Sequence, residues 1–245
     1  VKATPVEQKE LLRLQALDIK TQQLKHQASA LTQHAEIAAL GVTADANRQV
    51  VTTRTGELED ARTELRRIES DVSVVESRIK RDSDRLQTSS SVKDIQALEA
   101  ELTALKKRLG DLEEIEIAVM ERVEAQEAVV ALAESEGAAI AAQIAQAVAL
   151  RDEALAGVNK QLGDNVRDRA AVAATIEDEL VALYEKRYVA GHGNAAALLR
   201  ARTCSGCTMT LTGNDLEAVR LAPVNDVVFC PDCGAILVRT EESGI

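Results

Sequence analysis

Apolar side chains recur at alternating steps of three and four through most of the first 185 residues, and this rhythm decides what the chain can fold into. A first run reads Leu14, Leu17, Thr21, Leu24, Ala28, Leu31, Ala35, Ala38. It resumes as Leu58, Ala61, Leu65, Ile68, Val72, Val75, Ile79 and Leu86, with Asp82 the one polar intruder. A second run takes in Ile95, Leu98, Leu102, Leu105, Leu109, Leu112, Glu116, Val119, Val123, Gln126, Val130, Ala133, Gly137, Ile140 and Ile144. After a phase shift near Arg151 it continues through Leu155, Val158, Leu162, Val166, Val172, Ile176, Leu180 and Leu183. Such spacing puts one apolar seam along each helix, the pattern of a coiled coil, and a phase shift unwinds the supercoil locally without ending it.

Thr88-Ser89-Ser90-Ser91 separates the two runs. Hydroxyl side chains compete for backbone hydrogen bonds and disfavour helix, and Ser91 with Asp94 three residues later reads as the N-cap of a new one. Thr4, Pro5 and Glu7 give the first helix a similar start. Folding the arms back on each other buries both seams as a long antiparallel helical hairpin. The arms then pair where residue numbers add to about 179, with each a/d seam facing the other. That register sets Gly41 level with Gly137, small residues facing small residues, as a place for a bend. A two-chain coiled coil without fold-back satisfies the same seam, so monomer and dimer both stay open.

Composition agrees. The chain has one Phe, two Tyr and no Trp among 245 residues, against 28% charged side chains. A single globule of this length would need more large aromatic surface in its core. Residues 1–87 carry 14 basic and 14 acidic side chains, residues 88–190 carry 11 and 20, and residues 191–245 carry 4 and 6. The excess of nine acids in the middle block repels a phosphate backbone and suits basic protein partners. The polar start, VKATPVEQKELL, carries no secretory pattern, and no stretch reaches about 18 uninterrupted apolar residues. These features predict a cytoplasmic protein whose four cysteines stay reduced.

The character of the chain changes after Gly191-His192-Gly193-Asn194, where Gly191 is the expected helix C-cap. Residues 195–201, 227–229 and 235–239 read as strands. Thr212-Gly213-Asn214-Asp215 reads as a capping box opening a short helix that Pro223 stops. Two hooks, Cys204-Ser-Gly-Cys207 and Cys230-Pro-Asp-Cys233, stand in this tail. Paired C-x-x-C hooks hold tetrahedral zinc, each chelating from a tight turn for which Gly206 and Gly234 supply backbone freedom. Iron on four thiolates would satisfy the same spacing. Metal binding also gives a tail of this size the stability that its small core does not.

The expected architecture is therefore mainly α: a coiled-coil hairpin over residues 1–190, turning near 88–91, followed by a small β zinc ribbon over 191–245. Four thiolates leave no open position for an activated water, and no nucleophile or phosphate-loop motif is present, so no enzymatic activity is expected. His26, His34 and His192 read as solvated. Zinc removal is expected to unfold the tail while the hairpin persists.

Four segments, SSVKDIQALEAELTALKKR after the turn, LYEKRY before the hinge, and RTCSGCTMTL and FCPDCGAILVR in the tail, make the chain resemble a bacterial family of C4-type zinc ribbon proteins with an N-terminal coiled coil. The resemblance implies an adaptor. Some members of that family are linked to flagellar or type III secretion regulation through an alternative sigma factor, and to RNA binding. Only Cys204, Cys207, Cys230 and Cys233 carry over, as zinc ligands. A nucleic-acid role would fall to Arg200, Arg202, Arg220 and Arg239, which six acidic residues of the tail outnumber and no aromatic platform supports. The sequence thus points to a zinc-binding adaptor for protein partners, of the transcription or secretion machinery, with nucleic-acid binding through the ribbon as the alternative.

Overall fold

The computed structural model describes residues 1–245. Four helices precede the tail: α1 (Pro5–Ser29), α2 (Thr32–Thr88), α3 (Val92–Ala173) and α4 (Asp178–Ala190). The tail holds β1 (Ala196–Arg200), β2 (Thr203–Cys204), α5 (Gly213–Leu221), β3 (Val228–Phe229) and β4 (Ile236–Val238). The chain is a mainly α protein, a long helical hairpin followed by a small β ribbon. It forms two compact units, residues 35–148 and residues 1–34 with 149–245.

The unit of residues 35–148 holds the hairpin turn. Helix α2 ends at Thr88, and after Ser89–Ser91 the Ser91 hydroxyl accepts the Asp94 N–H at 3.4 Å, the N-cap expected there. The seam packs as expected, with Leu58, Ala61, Val123 and Val130 in one buried cluster. Arg78 faces Glu101, whose numbers add to 179, and the Asn47 amide donates to the Ala133 carbonyl at 3.0 Å, one residue from that register. Cross-arm pairs of Arg62 with Glu127 and Arg122 with Glu64 flank the seam but add to 189 and 186, so the expected register is not kept there.

The two seam glycines differ in their surroundings. Both α2 and α3 run through these positions unbroken, so neither glycine ends a helix. Gly41 has open space where a side chain would go, whereas a Cβ at Gly137 would come within 2.6 Å of the Asn47 Oδ1. Gly137 therefore makes room for a polar side chain that reaches across the seam. Along α3 one 18-residue window reaches a mean hydropathy of 1.3, and only 11% of it is buried.

The other unit contains two helix breaks that the seam pattern does not announce. One falls at Ala30–Leu31, where the Ser29 hydroxyl turns back to the His26 carbonyl at 2.8 Å and the Ala30 N–H closes on the same carbonyl. The other falls after Ala173. There the Thr175 and Ile176 N–H groups tighten onto Val172 and Ala173, and α4 restarts at Asp178. The second arm, expected as one helix ending at Gly191, is thus two. The break lets Ile176, Leu180 and Tyr184 join Leu11 and Leu14 of α1 in a core that also takes in Ala195, Ala196 and Ile236 of the tail. The Thr4 capping box is formed, with the Thr4 N–H on the Glu7 carboxylate at 2.8 Å. Gly191 ends α4, its N–H on the Arg187 carbonyl at 2.7 Å.

The tail sheet has strand order β2-β1-β4-β3. Strands β1 and β4 pair in parallel, Ala196 with Ile236 through Leu198 with Val238, and the outer pairs are antiparallel. Helix α5 starts at Gly213 as expected, but Thr212 makes no side-chain capping bond.

Candidate metal centre

Two backbone turns of the same design present the four thiols. In the first, the Cys204 N–H donates to the Met209 carbonyl at 2.9 Å, and the Thr208 N–H returns to the Cys204 carbonyl at 2.8 Å. In the second, the Cys230 N–H donates to the Ala235 carbonyl at 2.8 Å, and the Gly234 N–H returns to Cys230 at 2.9 Å. The residue after each second cysteine is left-handed, Thr208 at φ 62 and Gly234 at φ 73. Gly234 has the backbone freedom expected of it, but in the first hook that conformation falls on a threonine. Gly206 serves space instead, since a Cβ there would lie 2.4 Å from the Asn194 side-chain amide.

The hooks face each other. The Cys204 and Cys233 sulfurs are 3.9 Å apart, those of Cys207 and Cys230 are 3.7 Å apart, and all four lie within 4.8 Å of one another. A tetrahedron of thiolates about 2.3 Å from zinc has edges of about 3.8 Å, so the donor set fits one such ion. These separations are nearly twice a disulfide bond of about 2.05 Å. Cys204 and Cys230 are buried, while Cys207 and Cys233 are half-buried. Burial pushes the Cys233 thiol up to about 12 and raises that of Cys204, while the Met209 N–H lowers that of Cys207. Metal capture therefore has to displace protons.

Residues from outside the tail's hooks support the centre. The Asn194 amide points at the Cys233 sulfur from 3.9 Å. The Arg187 guanidinium stacks over the Phe229 ring, 4.3 Å from its centroid, next to Cys230. Gln15 of α1 accepts the N–H groups of Ala195 and Ala196 on one oxygen and donates to the Gly193 carbonyl at 2.7 Å, fixing the entry to β1. Tyr184, fully buried, donates to Asp18 at 2.8 Å, and Arg169 pairs with both Asp18 and Glu185. Burial and the Asp18 contact hold the Tyr184 phenol protonated. Three of these residues, Tyr184, Glu185 and Arg187, sit in the LYEKRY segment, whose distinctiveness was the only sequence signal for them.

The four arginines named for nucleic acid all have partners within the tail. The Arg239 guanidinium is occupied by the carbonyls of Val219, Ala222, Pro223, Val224 and Asp226, and holds the loop after α5. Arg200 pairs with Glu242 at 3.0 Å and Arg220 with Glu217 at 3.9 Å, while Arg202 donates to the Gly244 carbonyl. His26, His34 and His192 are exposed.

Comparison with known proteins agrees with this construction. Residues 203–237 match the C4-type zinc ribbon domain. An uncharacterized protein of Mycobacterium tuberculosis is 31% identical over 242 residues, covering 98% of both chains. A structure from Mycobacterium smegmatis, 28% identical, superposes with a TM-score of 0.86 over 98% of this chain and 100% of that one. CT398 from Chlamydia trachomatis, 21% identical, shares the fold with a TM-score of 0.65 over 94% of this chain and 96% of its own. The match to the CT398-like coiled coil hairpin domain spans residues 14–192, and the chain belongs to that family, carrying a C4-type ribbon behind its hairpin.

Proposed function

We propose that this chain is a non-enzymatic adaptor of the cytoplasm. One zinc ion on Cys204, Cys207, Cys230 and Cys233 fixes the ribbon, and the acidic second arm and the ribbon bind protein partners. The observation that carries the reading is the donor set. Four thiolates fill a tetrahedral shell and leave zinc no position for substrate or water, so the ion serves the fold. Burial of two of the thiols suits such a closed site. The acidity of residues 88–190 supplies a binding face for basic proteins, and the ion pairs that Arg200 and Arg220 already make weaken the case for nucleic acid.

Affinity purification of the intact chain from lysate, at low and high salt, with proteins and RNA both identified, tests this. The expected result is a defined set of proteins, lost when acidic residues of 113–136 are reversed in charge. Recovery of RNA alone, or a gel shift at low salt that weakens when Arg200 and Arg202 are replaced, contradicts it.

A further inference from the structure

Between residues 113 and 136 helix α3 combines two features that the hairpin itself does not use. The first is charge. The segment holds eight glutamates and one arginine, and of those glutamates only Glu127 makes an ion pair, with Arg62. The second is an apolar stripe beside the buried seam. Leu112, Val119, Val123, Val130 and Ala133 are buried against α2, but Ile115, Val129 and Leu132 are 45%, 41% and 61% exposed. With Ala118 and Ala125 they lie on one side of the helix at steps of three, four or seven, the seven spanning Arg122, whose guanidinium pairs with Glu64 of α2. Glu114 and Glu121, both exposed and unpaired, border that stripe at the same spacing.

We propose that this stripe docks a basic amphipathic helix of a partner protein, which would lay its apolar face along Ile115 to Leu132 and set Lys or Arg against the bordering glutamates. The inference rests on the adaptor reading above and names the chemistry of the partner. Seventeen residue steps at about 1.5 Å make a track of about 26 Å, which matches a helix of about 18 residues. Charge complementarity selects this occupant. A second copy of the chain pairing through the same face would bring unneutralised glutamates onto unneutralised glutamates, and an anionic lipid surface meets the same repulsion. A cationic helix gains from both features at once, the groove-lining mode in which apolar anchors recur at three and four.

The test uses the zinc-loaded full chain and a synthetic 18-residue peptide with leucines at three-four spacing and lysines flanking them. Fluorescence anisotropy compares it with a scrambled peptide of identical composition. The amphipathic peptide is expected to bind at least tenfold more tightly than the scrambled one. That advantage is expected to vanish in the Ile115→Ser, Val129→Ser, Leu132→Ser variant, whose changes are at exposed positions. Glu114→Lys with Glu121→Lys is expected to weaken binding by a similar factor. Equal binding of both peptides, or indifference to the serine variant, overturns the proposal. So does sedimentation showing a dimer that the serine variant dissolves, or zwitterionic vesicles that bind the chain only when the stripe is intact. Partner capture from lysate that survives the serine variant but is lost on changing the ribbon surface would keep the adaptor reading and remove this one.

Discussion

The metal centre carries a flaw that can be corrected one residue at a time. The left-handed position after the second cysteine is a glycine in one hook and Thr208 in the other. A side chain there costs about 1–2 kcal/mol. Thr208→Gly is therefore expected to stabilise the zinc-loaded ribbon by about 1 kcal/mol, and Gly234→Ala to weaken it by a similar amount, both read by chelator competition and thermal melting. The thiols predict a pH dependence as well. Cys204 and Cys233, with raised pKa values, are protonated near neutrality without metal, and zinc binds only their thiolates. Binding then releases at least two protons, so acid opposes it. Apparent zinc affinity is expected to rise at least about a hundredfold per pH unit around neutrality, measured against a chromophoric chelator. The ligands were legible because a spacing of two, repeated, is a chemical pattern. The left-handed Thr208 was not, since nothing in the residue type announces it, and Gly206 was read for the wrong property.

At the scale of elements, the two seam glycines are expected to respond differently to the same change. Gly41 has room for a methyl group, so Gly41→Ala should stabilise α2 by about 1 kcal/mol, the ordinary gain in helix propensity. Gly137→Ala places a Cβ against Asn47 and breaks its bond to Ala133, so that gain should be lost. Thermal melts followed by circular dichroism distinguish the two outcomes. Asp82 is buried in the seam with one carboxylate oxygen lacking a hydrogen-bond partner, between Arg78 and Arg85 at 3.9 and 3.6 Å. Replacing such a group with a packed apolar side chain is often stabilising, and Asp82→Leu is expected to raise stability by about 1–2 kcal/mol. The three-four rhythm made the hairpin and its turn readable, but its register only in part: Arg78 and Glu101 add to the expected 179, whereas Glu64 with Arg122 and Arg62 with Glu127 add to 186 and 189. It left the breaks at Ala30–Leu31 and 174–177 unreadable, because no proline or glycine marks either one. Packing of α4 against α1 and β1 draws the second break, and a periodic pattern carries no trace of a contact 160 residues away.

For the molecule as a whole, the ribbon does not stand apart from the helices. Its Ala195, Ala196 and Ile236 share a core with Leu11, Leu14, Leu180 and Tyr184, and Gln15 ties α1 to the start of β1. Zinc removal should therefore reach beyond residues 191–245. Hydrogen exchange after chelation is expected to show lost protection in the tail, α4 and α1, while residues 35–148, a compact unit with its own buried cluster, keep theirs. Loss confined to the tail would show that the shared core survives without metal.

The most direct test of the account is native mass spectrometry of the freshly purified full chain, with and without Cys207→Ser and Cys233→Ser. It predicts one zinc ion per chain, lost in the doubly substituted protein. A chain that carries no metal, binds iron in its place, or is lighter by two hydrogens per pair of cysteines joined as a disulfide would contradict it.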